Sequence, residues 1–377
     1  MITRRKFLAG TAAALVSQRA IAQHIDGSIP EIVARRPTFG ALRWDAWYSM
    51  DLGTAGYELA VDPGTLAPNK WHFRAPIHAI TGDNMISWEG ATQEAFDNEI
   101  LAANRFGLDY WVFDYYDSAL GAFHAAFNIA LSYYLNSKLV TKPRFALMES
   151  SADLGTTGKS SAQIARALPY IQNPHYMKVK GNRPLIYMYY TSENVATYWN
   201  GDIANLRIAI DALRVAVQAA GLANPYIVCL NGGLSSGVVP IALGADCSGR
   251  YVGPIPARFS GTYAAMVAED RRYWATDAAA FSPYIPTVNV GFDPTPINDN
   301  PPRWWTINPK SVIEPTTEEL VAHFQNASNF VKRNPTICDA NTVLVYSWSE
   351  CVEGGVAMMP TIGNPTGTKG LALLSVR

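Results

Sequence analysis

The sequence predicts an α/β fold, a single (β/α)8 barrel with long loops over its C-terminal face. Three observations carry this expectation. Eight short runs rich in β-branched and aromatic residues recur along the chain, and helical stretches lie between them. No dinucleotide fingerprint GxGxxG follows any of the eight. Strands that alternate with helices imply parallel pairing through right-handed crossovers, and eight such units favour closure over an open sheet. The 377 residues, 49% hydrophobic and 16% charged, supply enough apolar material for a core of that size.

The eight runs are TFGALRWDAWY (38–48), LDYWVFDYY (108–116), PRFALMES (143–150) and RPLIYMYY (183–190), followed by PYIVCLNGG (225–233), DCSGRYV (246–252), YIPTVNVGF (284–292) and NTVLVYSW (341–348). The segment 92–107 has helical apolar spacing, with Thr92 to cap its start and Gly107 to stop it. Further helical segments are 122–136, 160–171, 203–221, 263–280 and 317–333. The long connection between the first two strands has room for a large loop or a small hairpin over the barrel. The Pro- and Asn-rich stretch 291–309 reads as an ordered loop at the barrel mouth.

Residues 1–22 read as a cleaved export signal of twin-arginine type, which leaves 23–377 as a single barrel domain. Arg4, Arg5 and Lys6 precede an apolar run over 7–16, and Ala20, Ile21 and Ala22 fit a small-residue cleavage site. The run is too short to span a bilayer, and no Cys near the cleavage site offers a lipid anchor. A periplasmic or secreted protein without a membrane anchor is expected. Losing four basic and no acidic residues takes the net charge from -1 to -5. That balance, without a Lys/Arg-rich stretch, argues against nucleic acid as a partner. Cys229, Cys247, Cys338 and Cys351 show no CxxC spacing, so no zinc or thioredoxin-like chemistry is indicated. Cys229 and Cys247 fall in consecutive predicted strands, which leaves a disulfide between them open.

In such barrels the site gathers at the C-terminal ends of the strands. Those ends carry Trp44, Asp45 and Tyr48, then Asp114, Tyr116 and Asp117, then Glu149, Tyr189, Asn231 and Trp348. Carboxylates and amides bind hydroxyls while aromatic faces stack on the C–H faces of sugar rings, so these ten are candidate substrate-binding residues for a poly- or oligosaccharide. Asp114 and Asp117 have a second reading as caps of the following helix. The candidate catalytic pair is Glu350 and Glu353 in YSWSECVEGG (346–355), where a strand gives way to a Gly-rich turn. Glycoside hydrolysis uses two such carboxyl groups, one to protonate the leaving oxygen and one as nucleophile or base. His72, His78 and His124 are not clustered at ligand spacing, and GTTGKSS (155–161) lacks the first Gly of a phosphate loop. No metal site and no cofactor is expected.

SWSECVEGG resembles the terminal-strand NEWHEG or NEWxEG motif of glycoside hydrolase family 99 and its WbsX-like bacterial relatives. LDYWVFDYYD, RPLIYMYY and ALRWDAWYS are similar to the second, fourth and first strands of those barrels. The resemblance implies a (β/α)8 barrel and retaining cleavage of α-linked sugars, mannosides among them, through a 1,2-anhydro sugar. Position by position, it implies that Glu350 engages the 2-hydroxyl and Glu353 is the general acid/base. The family's Asn, Trp and His are here Ser349, Cys351 and Val352. The expected function is an exported glycoside hydrolase. The alternative is a non-catalytic glycan-binding or polysaccharide-export factor on the same barrel.

Overall fold

In a computed structural model, the described residues are 36–48, 64–230, 237–253, 261–301, 306–307, 311–352 and 357–377. The export-signal segment lies outside them. Eight parallel strand positions close a barrel: β1 (Thr38–Arg43), β2 (Tyr110–Tyr115), β3 (Arg144–Ser150), β4 (Arg183–Tyr189), β5 (Tyr226–Leu230), β6 (Cys247–Gly249), β7 (Tyr284–Ile285 and Thr287–Asn289) and β8 (Thr342–Tyr346). Each falls inside one of the eight runs read from the sequence. Their paired order runs from the first piece of β7 through β6, β5, β4, β3, β2, β1 and β8 to the second piece of β7. Closure therefore passes through β7 itself. Its first piece pairs with β6 and its second with β8, on either side of Pro286, whose carbonyl still accepts from Leu344. Proline has no N–H to give, so the strand changes partner where it has nothing to donate.

The strands are β-branched and aromatic on both faces because both faces are covered, one by the barrel interior and one by helices. Thr92 caps the helix Gln93–Arg105 by accepting from Ala95, and the chain leaves at Gly107 with φ 72°. Thr316 and Glu319 form a reciprocal capping box on Thr317–Arg333. The segment 122–136 is two helices, Ala122–Phe127 and Ile129–Asn136, with Asn128 as the break. Asn128 exchanges bonds with the backbone of Tyr116, so it is tied to the end of β2. Between β1 and β2, Ile80–Gly82 and Met85–Ser87 form an antiparallel hairpin turned at Asn84, whose φ is 48°. Residues Pro37–Arg377 form one compact unit. No helix of the described residues is long and apolar enough to cross a membrane.

The barrel floor is closed by phenols. Tyr110 reaches across the interior to Tyr187 at 2.8 Å and to the Thr342 hydroxyl at 2.9 Å. Its ring fills the space above Gly40, where a Cβ would overlap it. This fixes which residues face inward: Gly40, Tyr110, Tyr187 and Thr342, and from them every second neighbour. The four cysteines are thiols. Register places Cys229 opposite Ser248 and Cys247 opposite Val228, so the two side chains point to opposite faces and cannot bridge. Gly40→Ala should cost about 1–3 kcal/mol in urea denaturation, and much less in a Tyr110→Ala background. Equal losses in both backgrounds would mean that the ring is not what excludes the methyl group.

Candidate active site

Alternation along the strands divides the ten predicted binding residues. At the end of β1, Arg43 and Asp45 point outward and Trp44 points in. Arg43 is 1% exposed and grips Asp45 through Nε at 2.8–3.0 Å and Nη2 at 2.7 Å. It also approaches Glu99 of the helix Gln93–Arg105 at 3.3 Å, and its guanidinium lies 4.5–5.0 Å from the ring centres of Phe96, Trp111 and Phe113. Tyr48 donates to one oxygen of Glu99. Trp348 Nε1 donates to the other at 2.7 Å. Asp45, Tyr48 and Trp348 thus sit in a buried network between the barrel and its helices, where each serves a protein partner.

Asp117 likewise faces outward. It caps the turn Ser118–Leu120 and holds Arg166 of the helix Ser161–Ile171 through Nε at 2.6 Å. Glu149 stands in register with Tyr115, whose ring packs on Tyr170 of the same helix, so both face the helical layer. Glu149 is 2% exposed, and its Oε1 meets no hydrogen-bond partner among the described residues. Burial, with Asp153 and Asp117 nearby, pushes its carboxyl up to about 8.

The mouth is lined by two clusters. On one side Tyr116 donates to Asp114 at 3.0 Å and receives Trp44 Nε1 at 3.2 Å, while its ring stacks on Phe127 at 4.6 Å. Asp114 is pushed up to about 8, chiefly by burial and then by Asp153, with the Tyr116 bond opposing. Asp153 is itself buried beside Asp117 and held by Ser150 at 2.6 Å. On the other side Glu350, 5% exposed, accepts from Tyr251 at 2.8 Å. The Tyr251 ring meets Tyr189 and Tyr346 edge-on, both at 5.2 Å. Ser349 joins the two sides: its hydroxyl accepts from the Trp44 N–H at 3.0 Å and donates to the Trp44 carbonyl at 2.8 Å. A cis peptide links Tyr346 and Ser347, and the Glu350 N–H returns to Ser347 Oγ at 3.0 Å.

Of the predicted residues, the mouth brings together Trp44, Asp114, Tyr116, Tyr189 and Glu350. Asn231 and Glu353 lie outside the described residues. The sequence reading missed Glu99, Asp153, Tyr251 and Ser349 as working parts. Glu99 had a signal, because it interrupts the apolar stripe of Phe96, Ile100 and Ala103 on one helix face. Tyr251 had one too, at the end of a predicted strand. Among the described residues no group of three or more His, Cys, Asp or Glu is placed to hold a metal ion.

No protein-family model and no curated protein sequence matches the chain. The fold does match solved structures. It is similar to a glycoside hydrolase-like protein at TM-score 0.55 and 15% identity, over 86% of this chain and 87% of that one. It is also similar to a GH99 endo-α-mannosidase from Bacteroides thetaiotaomicron at TM-score 0.51 and 13% identity, over 86% of each chain. A second structure of that mannosidase covers 89% of this chain and 96% of its own, at TM-score 0.51 and 11% identity. The chain has a GH99-like barrel.

Two measurements test this arrangement. Arg43→Met leaves Asp45 and Glu99 buried without their cation, and a loss of about 3–5 kcal/mol is expected in denaturant titrations. A loss below about 1 kcal/mol would show the network to be incidental. The second concerns Glu149. Its raised folded pKa means that it stabilises the fold fully below the ordinary carboxylate range. That contribution is lost as pH rises toward about 8, because the unfolded chain releases the proton first. Glu149→Gln should therefore flatten the decline of stability over this window, by at most about 1.4 kcal/mol per pH unit. Parallel curves for the variant and its parent would contradict the buried, protonated state.

Proposed function

We propose that this protein is an exported carbohydrate-active enzyme, a retaining glycoside hydrolase acting on α-linked poly- or oligosaccharide. The observation that carries the reading is Glu350, buried at the mouth, hydrogen-bonded by Tyr251 and facing an aromatic-lined side that holds Asp114. A sugar ring needs both parts. The rings of Trp44, Tyr116 and Tyr189 offer faces or edges for its C–H surface, and the carboxyls bind its hydroxyls. The likeness in fold to a GH99 endo-α-mannosidase supports the same substrate class.

In the proposed reaction the Glu350 carboxylate takes the proton of the sugar 2-hydroxyl. The freed oxygen attacks the anomeric carbon as the bond to the leaving oxygen breaks. Glu353 protonates that oxygen, and water then opens the 1,2-anhydro sugar with retention. Tyr251 donates to Glu350 and orients its carboxyl group. Asp114, held up to about 8, is a carboxylic acid at neutral pH and donates a hydrogen bond to a sugar hydroxyl.

A glycan-binding barrel without turnover is the second reading. It is favoured by Cys351 and Val352, both 1% exposed and apolar where the resembling family carries Trp and His. The test is incubation with a panel of α-mannans and α-glucans, assayed for new reducing ends. Glu350→Gln and Glu353→Gln should each lower kcat/KM by about 10²–10⁴-fold. Cleavage at full rate in both variants would remove these residues from the mechanism. Glycan affinity kept in both, with no turnover by the parent on any glycan, would establish the binding reading.

A further inference from the structure

A pocket of about 500 Å³ opens on the outer flank of the barrel, against the helix Gln93–Arg105. Its walls include Ile77, Leu101, Pro360 and Pro365, and its polar lining includes His78 and Glu99. Two features of that lining point to a ligand. The first is charge. Asp45 and Glu99 are both about 3% exposed and, among the described residues, both pair with the one Arg43 guanidinium, while Arg105 on the pocket wall is given to the Thr366 carbonyl. The second is an orphaned acceptor. The His78 side chain is 5% exposed, and its Nε2–H is directed at the Trp47 carbonyl, 3.3 Å away. That tautomer leaves Nδ1 as a bare lone pair, buried and without a hydrogen-bond partner among the described residues. It stands 3.9 Å from Glu99 Oε1. Glu99 Oε1 accepts from the Tyr48 hydroxyl, so the lone pair that faces it from His78 is the acceptor left without a donor.

We propose that this pocket binds an organic ammonium ion, a primary amine on a short apolar stem. The ammonium would donate to His78 Nδ1 and Glu99 Oε1 together, and its charge would answer the second carboxyl group. The stem would lie along Ile77, Leu101 and the two prolines. Burial lowers the His78 pKa, so the imidazole does not supply the missing charge itself. A metal ion fits less well, because His78 and one carboxylate are too few donors for a stable site. Arg105 lines the same pocket and disfavours a stem with a second positive charge.

The test is calorimetric titration of the full chain with n-butylammonium chloride, with n-butanol and 1,5-diaminopentane as matched probes. Saturable binding of n-butylammonium in the millimolar range is expected, with both other probes weaker by about tenfold or more. Leu101 is 51% exposed on its helix, so Leu101→Trp should fold normally while filling the pocket, and binding should disappear. His78→Phe keeps a ring against Tyr48 but removes the acceptor, and should weaken binding about tenfold. The proposal is overturned by an absence of saturable n-butylammonium binding, by equal binding of n-butanol, or by unchanged affinity in Leu101→Trp. The last result would locate the amine elsewhere, such as among the carboxylates of the mouth.

Discussion

The Arg43 guanidinium is the constraint on which the rest of the site depends. A buried cation is tolerated only if its charge is met, and here Asp45 and Glu99 meet it while three aromatic rings cover the guanidinium, whose Nη1 has no hydrogen-bond partner among the described residues. Those partners come from β1, from β2 and from the helix between them. Trp348, just past β8, reaches the same Glu99. The network therefore fixes the ends of β1 and β8 against one helix, and through them the two strand ends that flank Glu350. The favourable part of such a cluster lies in specificity of position more than in net stability, because desolvation offsets most of the Coulomb attraction.

Position is what the mouth requires. The Ser349 hydroxyl closes on both backbone groups of Trp44, so the side chain of Trp44 and the carboxyl of Glu350 are referred to one backbone junction. The bond from Trp44 to Tyr116, and from Tyr116 to Asp114, extends this reference to β2. An Asn at position 349 would have a longer side chain and an amide in place of the hydroxyl that here fits between the Trp44 N–H and carbonyl. The substitution of Ser for the resembling family's Asn is thus a change in how the strand ends are joined, made one residue before the carboxylate.

The fold was legible because eight runs with covered faces leave a strong hydrophobic signal, and because a cap such as Thr92 marks a helix start by local chemistry. The split at Asn128 and the partner change at Pro286 were not legible, since each depends on contacts with distant strands. The site was half legible for a geometric reason. Reading every polar residue at a strand end counts both faces, whereas only alternate residues enter the barrel. Trp44, Asp114, Tyr116 and Tyr189 fell on the inner parity. Asp45, Asp117 and Glu149 fell on the outer, where helices Gln93–Arg105 and Ser161–Ile171 supply partners the sequence does not announce. Tyr110 above Gly40 sets that parity, and only the paired register reveals it.

The outward carboxyls still act on the inward ones. Asp153 sits beside both Asp117 and Glu149, and it is also the second cause, after burial, of the raised pKa of Asp114. Arg166 neutralises Asp117, and nothing comparable is seen for Glu149. Burial, and after it this shared neighbour, therefore raises Asp114 and Glu149 together. A protonated Asp114 is then a product of the whole β2–β3 edge, including residues that never see a ligand. This separates two kinds of carboxyl at the mouth. Asp114 is pushed up chiefly by burial and then by Asp153, while Glu350 accepts from the Tyr251 phenol. For the proposed reaction, which must both donate to a sugar hydroxyl and accept a proton from one, this division supplies the donor and the acceptor from different strand ends.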